Sequence, residues 1–298
     1  MLRKKNITLN DRKADGTEKL NAGDLVKLFL SDETFEKFSG KDETNSGYMK
    51  LKSIDSGRLQ VVYEDDDVII INKPSGMLSQ KAVPEDISAN EYILSYLIRK
   101  GALSEEQFKT FKPSICNRLD RNTEGLVLAA KDAATLRELN RLIRENRIQK
   151  TYLCVLTATP PKQTDILHAY HWKDAKTNTV TISDHPKAGY REIITEYRVL
   201  QQQNGLCLAE ITLHTGRTHQ IRAHMAHIHA PLAGDSKYGD RRKNESLHLK
   251  HQLLCAYQLQ FHPEADSCLA YLNGKTVTAP LPEFASRFFP TFSSKNRK

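Results

Sequence analysis

The sequence predicts an α+β domain organised around a largely antiparallel sheet. Most of the regular segments are short runs of β-branched and other apolar residues, which predict strands, while few segments have helical periodicity. Two longer helical segments, at about residues 87–100 and 132–147, stand between pairs of predicted strands. Many strands with few, separate helices are typical of the α+β class.

Length and composition indicate one large domain with a small appendage. The chain has 298 residues, of which 39% are hydrophobic and 27% charged, as in ordinary globular proteins. Its 44 Lys and Arg exceed its 36 Asp and Glu, so the net charge is +8. A basic balance favours a polyanionic partner, and nucleic acid before a membrane.

The cysteines and the apolar runs limit the cellular environments that we expect. Five cysteines are scattered along the chain without a C-x-x-C pair, so neither a disulfide framework nor a Cys-based zinc site is predicted. No apolar run approaches the roughly 20 residues of a membrane span, and no signal-peptide core follows Met1. We therefore expect a reduced, cytoplasmic protein that does not enter membranes.

The first part of the chain predicts a small segment and a linker. Residues 1–37 contain two strand-like pieces, Ile7–Asn10 and Asp24–Leu30, with turns at Asp15-Gly16 and Ala22-Gly23. Residues 38–58 are polar and have no apolar period, which predicts a linker. The large domain is expected to occupy residues 59–298.

The large domain begins with a predicted hairpin and a helix. Val61–Glu64 and the apolar run from Val68 flank an acidic turn, and two β-branched runs around such a turn predict paired strands. Ile87–Lys100 has the spacing of an amphipathic helix, which Gly101 could cap.

Asp120 lies in the most informative stretch, N-R-L-D-R-N-T-E-G-L, residues 117–126. Arg118 and Arg121 flank this acidic residue, and nearby positive charge favours an ionised carboxylate. Gly125 suits a tight turn, and Leu126–Ala130 predicts a buried strand. Asp120 is therefore expected at the mouth of a strand.

Further elements follow in order along the chain. Asp132 can cap a helix that runs to about Arg147, and a strand at Ile148–Leu156 contains Tyr152. Residues 157–190 predict an irregular region with surface hairpins. Two more strands and a helix that starts after Gly216 complete the pattern, and the three elements involve Ile193–Leu200, Cys207–Leu213 and Ile221–Ile228.

Several motifs resemble those of the RluA-type RNA pseudouridine synthases, in the same order and over about residues 59–285. Residues 117–126 resemble H-R-L-D-x-x-T-S-G-L, with Asn117 and Glu124 as departures. Residues 215–224 match T-G-R-T-H-Q-I-R-x-H, and residues 231–239 match P-x-x-G-D-x-x-Y-G. Residues 72–76 resemble N-K-P-x-G, and residues 150–156 resemble K-x-Y-x-A-x-V. Residues 1–37 also look like the second half of an S4-type RNA-binding domain.

The resemblance implies a fold, an activity and a set of site residues. The fold would be a mixed sheet with flanking helices, split by a central cleft with Asp120 at its edge. The activity would be isomerisation of uridine to pseudouridine in ribosomal or transfer RNA, without a cofactor or metal, by a monomer. Asp120 would be the catalytic carboxylate, Tyr152 would stack on the uracil and Arg222 would pair with Asp120. The residues implied to contact RNA are Arg118, which would help extrude the uridine, and Lys73, Arg121, Arg217, His219 and Gln220.

Two alternatives remain open from the residues. An RNA-binding protein without catalysis would share the basic charge and the S4-like start. A metal-dependent enzyme could use the histidines between His214 and His229, since imidazole is a common zinc ligand, although no H-E-x-x-H pattern is present.

Overall fold

The computed structural model describes residues 7–14, 17–31, 41–174 and 176–292. The chain divides into two compact units, Met1–Lys50 and Leu51–Lys298. The turn predicted at Asp15-Gly16 and the first residues of the predicted linker, 38–40, lie outside the described residues.

The described part of the small unit contains a three-stranded antiparallel sheet. Its strands are β1 (Ile7–Leu9), β2 (Arg12–Lys13) and β3 (Val26–Leu28), in the order β2-β1-β3. β1 and β3 confirm the two predicted strands, in shorter form. The Asn10 side chain accepts a hydrogen bond from the Leu25 amide, 2.8 Å away, and thereby links the turn after β1 to β3.

A helix, α1 (Lys41–Lys52), lies within the segment predicted to be an irregular linker. The sequence predicted a linker at these residues and did not predict the helix. The prediction relied on the missing apolar period, but Lys, Glu, Met and Leu have good helix propensity without an apolar stripe. The domain boundaries at residues 37/38 and 58/59 stay predictions.

The described part of the large unit contains an 11-stranded sheet. Its strands are β4 (Gln60–Glu64), β5 (Val68–Lys73), β6 (Ser114–Ile115), β7 (Glu124–Ala130), β8 (Ile148–Leu156), β9 (Thr164–Asp174), β10 (Thr179–Ser183), β11 (Arg191–Gln203), β12 (Leu206–Leu213), β13 (Leu254–Phe261) and β14 (Thr276–Thr278). The helices are α2 (Ala89–Arg99), α3 (Glu105–Thr110), α4 (Ala133–Arg144), α5 (Gln220–His227), α6 (Arg241–Ser246) and α7 (Glu283–Phe288). Short 3-10 turns occupy Ser56–Arg58 and Ala270–Leu272.

The strand order is β10-β9-β11-β12-β8-β13-β7-β5-β4, with β14 beside β13 and β6 beside β7. Neighbouring strands of this described sheet are antiparallel except β7 and β13. These two strands are parallel and lie in the interior of the sheet. The predicted α+β class and largely antiparallel mixed sheet are therefore confirmed. The parallel pair brings the starts of β7 and β13 together, with β8 on the other side of β13.

The core lies under the centre of the sheet. β5 contributes Val68 to Ile71, all fully buried, and β7 contributes Leu126 to Ala130. The helix α4 packs against this core through Leu139 and Leu142. Asp132 caps α4, since its carboxylate accepts hydrogen bonds from the amides of residues 134 and 135.

Residues 157–190, predicted to be an irregular region with surface hairpins, contain the long β9–β10 hairpin. β9 has eleven residues and pairs with both β10 and β11. Ala169 and His171 are buried while His168 and Trp172 are exposed, as expected for a strand with one covered face. Because a buried position is occupied by the polar His171, the alternation of apolar and polar residues was hidden in the sequence.

Other local predictions are confirmed. β4 and β5 form the expected hairpin, and β11 and β12 form another around Asn204-Gly205. Gly101 follows α2 with a positive φ of 77°, which fits a helix-terminating glycine. Within the described ranges, no helix is both long enough and apolar enough to span a membrane.

Candidate functional site

Asp120 lies in a loop that is hydrogen-bonded to residues 76–79, in the segment that follows β5. The hydroxyl of Ser79 donates to the Leu119 carbonyl oxygen at 2.8 Å and accepts from the Leu119 amide at 3.0 Å. The amide of Gly76 donates to the Arg121 carbonyl oxygen at 2.9 Å. The amide of Thr123 closes a turn onto the Asp120 carbonyl oxygen at 3.0 Å. These bonds fix the backbone on both sides of Asp120.

Asn117, which departs from the family motif, acts as a short bridge to β7. Its Oδ1 accepts from the Leu128 amide at 2.8 Å, and its Nδ2 donates to the Leu126 carbonyl oxygen at 3.2 Å. The Asn117 side chain thus donates one hydrogen bond to β7 and accepts one from it, as the backbone of a neighbouring strand would. The departure is compatible with an ordered Asp120 loop.

Lys73 lies beneath the same loop and is fully buried. Its Nζ donates to the carbonyl oxygens of Pro74, Met77 and Arg121 at 3.0, 2.9 and 3.1 Å. Burial lowers its pKa to about 8, against the opposing charges of Asp120 and Glu124. All three ammonium protons are used within the protein, so this structure leaves none for direct contact with RNA.

Gly125 lies inside β7 rather than in the turn that the sequence suggests. Its φ is +110°, and a Cβ atom there would collide with the backbone of Ala256 in β13. The absence of a side chain therefore permits the close parallel approach of β7 and β13. Ala256 also pairs with Tyr152 of β8, so the three positions form a row across the middle of the sheet.

Arg222, on α5, connects two carboxylates. Its Nη1 donates to Asp120 Oδ2 at 2.8 Å, while Nε and Nη2 donate to Asp235 at 2.6 and 2.9 Å. Burial opposes its charge, but the bonds to the two carboxylates outweigh burial and raise the pKa of Arg222. No ion pair between Asp120 and either flanking arginine occurs in the described chain, so the cation beside the carboxylate is Arg222.

Asp235 is the main site residue that sequence reasoning missed. Its side chain is fully buried and also accepts from the amides of Lys237 and Tyr238. Burial favours the neutral acid, yet the bonds from Arg222 and these amides lower the pKa of Asp235 below its usual value. The Gly234-Asp235 pair within residues 231–239 was the available signal, but it carried no indication of a partner.

His219 faces Asp120 from the start of α5. Its Nε2 lies 3.7 Å from Asp120 Oδ2, and its Nδ1 lies 2.9 Å from the Tyr238 hydroxyl. Because that hydroxyl accepts from the Val180 amide, its proton can be donated to Nδ1, which places the ring proton on Nε2. Burial, together with the charges of Arg222 and Lys237, lowers the pKa of His219 to about 4. The ring is therefore neutral at pH 7.

Tyr152 lines a pocket with Asp120, together with apolar side chains of Leu213 and Leu254. The tyrosine is 8% exposed, and burial raises its pKa, with the charge of Asp120 adding to the effect. Its hydroxyl stays protonated at neutral pH. The pocket thus combines a carboxylate, a flat aromatic ring and an apolar floor, which suits a small planar group.

The other predicted residues separate into exposed and internal side chains. Arg118, Arg121 and Arg217 are exposed and line the clefts around Asp120. Gln220 is buried, and its amide bonds to Thr215, Thr195 and the backbone of residues 194 and 217. Gln220 therefore organises the start of α5 instead of presenting its amide to the cleft.

The histidines of residues 214–229 point to separate partners. His214 contacts Glu196, His224 contacts the Thr195 hydroxyl, and His227 contacts Asp184. Among the described residues, no three His, Cys, Asp or Glu side chains converge as a metal site would require. The arrangement gives no support to the metal-dependent alternative.

The chain is similar to known proteins over most of its length. The family model for RNA pseudouridylate synthases matches residues 67–227. A ribosomal large subunit pseudouridine synthase C from Rickettsia conorii is 33% identical over 244 residues, which cover 80% of this chain and 76% of that one. The synthase of the same name from Vibrio parahaemolyticus is 29% identical, covering 89% and 80%.

A solved structure shows the same fold. Human RNA pseudouridylate synthase domain containing 1 superposes with a TM-score of 0.60 at 21% identity, covering 78% of this chain and 87% of the human chain. The resemblance noted from the motifs is thereby confirmed at the level of the family and the fold. The chain belongs to the RNA pseudouridylate synthases, in their RluA-type branch, and is an isomerase.

Proposed function

We propose that this chain isomerises specific uridines of structured RNA and that Asp120 is its catalytic carboxylate. The observation that carries this proposal is the position of Asp120, which lines a pocket with Tyr152 and is held by Arg222 at 2.8 Å. The names of the relatives favour large-subunit ribosomal RNA as the substrate. Transfer RNA is the second RNA class that the motif resemblance implied.

The reaction that we propose conserves all atoms. The bond from uracil N1 to ribose C1′ breaks, the base turns, and a bond from C5 to C1′ forms. C5 then loses its proton and N1 gains one. An anionic carboxylate can attack or stabilise the sugar carbon while the pocket retains the detached base. The reaction consumes neither an oxidant nor a second substrate, so no cofactor is needed.

Each neighbouring side chain has a proposed role in this reaction. Arg222 keeps Asp120 ionised and aimed into the pocket. Tyr152 stacks on the uracil, since its buried ring forms one wall. Arg118, exposed at the rim, helps to hold the uridine outside its helix, because a stacked base must be extruded before it is reached. Lys73 positions the loop that carries Asp120, and Gln220 positions the start of α5.

The outer cleft supports a polyanionic substrate. Lys81, Arg121, Lys173 and Lys237 line it next to Asp120. Such a basic surface can follow an RNA backbone, and binding to it would weaken as salt rises. We propose that the protein acts in the cytoplasm as a monomer.

Asp120→Asn provides the test of this proposal. RNA labelled with tritium at uracil C5 releases the label on isomerisation, so 23S ribosomal RNA transcribed in vitro is a suitable substrate. We expect release to fall at least about 1,000-fold, as when other enzymes lose an essential side chain, with RNA affinity nearly unchanged. Asp266→Asn, an exposed aspartate away from the cleft, is the matched control.

Two results would contradict the proposal. Substantial turnover by Asp120→Asn would show that another group performs the chemistry. Binding of RNA without tritium release by the unmodified protein, on both ribosomal and transfer RNA, would favour the RNA-binding alternative without catalysis.

A further inference from the structure

A chamber of about 400 Å³ shares Asp120 and Tyr152 with the pocket described above and extends to Lys150 of β8. Three cationic side chains line it: Arg118, Lys150 and Arg217. Asp120 is the one acidic residue in its wall, and that carboxylate is already bonded to Arg222. The chamber therefore carries an excess of positive charge.

Lys150 is the least exposed of these three cations. It lies two residues before Tyr152 in β8, so both side chains project from the same face of the strand. Burial lowers the pKa of Lys150, and no carboxylate offsets that effect. Its ammonium has neither a hydrogen bond nor an ion pair with the described part of the chain. A desolvated cation without a partner is costly, which indicates that an anion completes this position.

The neighbouring loop leaves room for such an anion. Gly216 faces Lys150, and even a Cβ at that glycine would lie 3.7 Å from Nζ. The guanidinium groups of Arg118 and Arg217 also have no hydrogen-bond or ion-pair partner among the described residues, and both side chains are exposed. Lys73, by contrast, is buried with every donor used. Three cationic side chains without a partner in the described chain thus line this chamber.

We propose that Lys150 binds a backbone phosphate of the RNA, together with Arg118 and Arg217, beside the uridine that enters the Tyr152 pocket. The inference deepens the proposed function and rests on it for the identity of the substrate. Residues i and i+2 of a strand are about 6.6 Å apart, so Lys150 can reach the backbone next to a base that contacts Tyr152. Lys150 is the first residue of the K-x-Y-x-A-x-V match, and the resemblance implied no role for it.

The test measures binding without turnover. Full-length protein carrying Asp120→Asn is titrated into a fluorescent 12-nucleotide oligouridylate at several salt concentrations. Lys150→Met is then introduced into the Asp120→Asn protein as a second substitution. Its control is Lys109→Met in the same background, which removes the same charge from α3. Lys109 pairs with Glu105 outside the chamber. Lys150→Arg tests rescue by a second cation, and Lys150→Gln replaces Lys150→Met if the latter fails to fold.

Loss of one phosphate contact has a defined signature. We expect Lys150→Met to weaken binding roughly 10-fold at low salt and to reduce the slope of log affinity against log salt by about 0.7. Lys109→Met should change neither, and Lys150→Arg should restore most of the affinity and the slope. In turnover assays, Lys150→Met should raise KM much more than it lowers kcat.

Three results would overturn the inference. The first is a slope of log affinity against log salt that is the same for Lys150→Met and Lys109→Met. This result would also be found if Lys150 contacted a base instead of a phosphate. The second is failure of Lys150→Arg to rescue binding, which would indicate a packing role. The third is no salt-dependent binding of oligouridylate by the Lys109→Met protein. The assay needs no isomerisation, so tritium release by the unmodified protein tests the proposed function separately.

Discussion

Arg222 and Asp235 form a two-point ion pair inside the protein. Nε and Nη2 of the guanidinium donate to the two carboxylate oxygens at 2.6 and 2.9 Å, and the Asp235 side chain is fully buried. This contact uses one edge of the planar group and leaves Nη1 directed at Asp120. Asp235 therefore sets the direction in which Arg222 holds the proposed catalytic carboxylate.

Asp235→Asn should impair both stability and turnover. An asparagine presents one acceptor, and its NH₂ group would face the guanidinium, which leaves a buried charge partly unpaired. Breaking such a pair costs about 3–5 kcal/mol, so we expect a loss of that order in the free energy of unfolding, measured with urea. We also expect kcat to fall because Arg222 no longer has one orientation. Asp266→Asn is the control, and wild-type kcat in Asp235→Asn would refute the orienting role.

Gly125→Ala should be more harmful than an ordinary glycine substitution. The new methyl group would collide with the backbone of Ala256, and the positive φ adds strain. We expect about 2–4 kcal/mol of lost unfolding free energy by urea denaturation. Gly205→Ala is the matched control, because Gly205 also has a positive φ but has no atom within 4 Å of the added group. Equal losses in the two variants would show that strain, and not the approach of β7 to β13, is decisive.

Asn117→Ala should loosen the Asp120 loop. The variant removes two hydrogen bonds to β7 and leaves the Leu128 amide and the Leu126 carbonyl oxygen without that partner. We expect a loss of about 1–3 kcal/mol in unfolding free energy, accompanied by lower kcat. Asn140→Ala, at an exposed position of α4, is the control. Unchanged kcat in Asn117→Ala would mean that the loop is positioned by Ser79 and Gly76 alone.

Buried histidines should make the protein less stable in mild acid. Burial, with the nearby charge of His227, lowers the pKa of His224 to about 4 in the folded protein, whereas an unfolded histidine titrates near pH 6.5. Between these values the unfolded chain binds more protons, so stability falls as the pH falls through this range. His224→Asn should reduce the difference in unfolding free energy between pH 7 and pH 5.

The matched variant for this prediction is His248→Asn. His248 is exposed and its positive φ suits asparagine. If the two variants lose stability equally between pH 7 and pH 5, burial of His224 is not the source of the dependence.

Local patterns were enough to predict the elements that surround Asp120. The apolar run after Gly125 predicts β7, and the spacing of Leu139 and Leu142 predicts the inner face of α4. These predictions succeed because the signals come from residues that are neighbours in the chain. Surface hairpins were predicted within residues 157–190, but the bounds of β9 and β10 were not, because a buried position of β9 carries the polar His171. The helix α1 was missed because it has no apolar stripe.

The sequence by itself determined the fold class, the place of Asp120 before a buried strand and the membership of a family of RNA isomerases. Only the tertiary structure decided how the site residues are used. It showed Arg222, 102 residues beyond Asp120, divided between that carboxylate and Asp235, and it placed the predicted RNA contact Lys73 inside the protein. It also showed that the ammonium of Lys150 has no partner in the described chain. Hydrogen-bond partners depend on distances across the sheet, which the local order of residues does not encode.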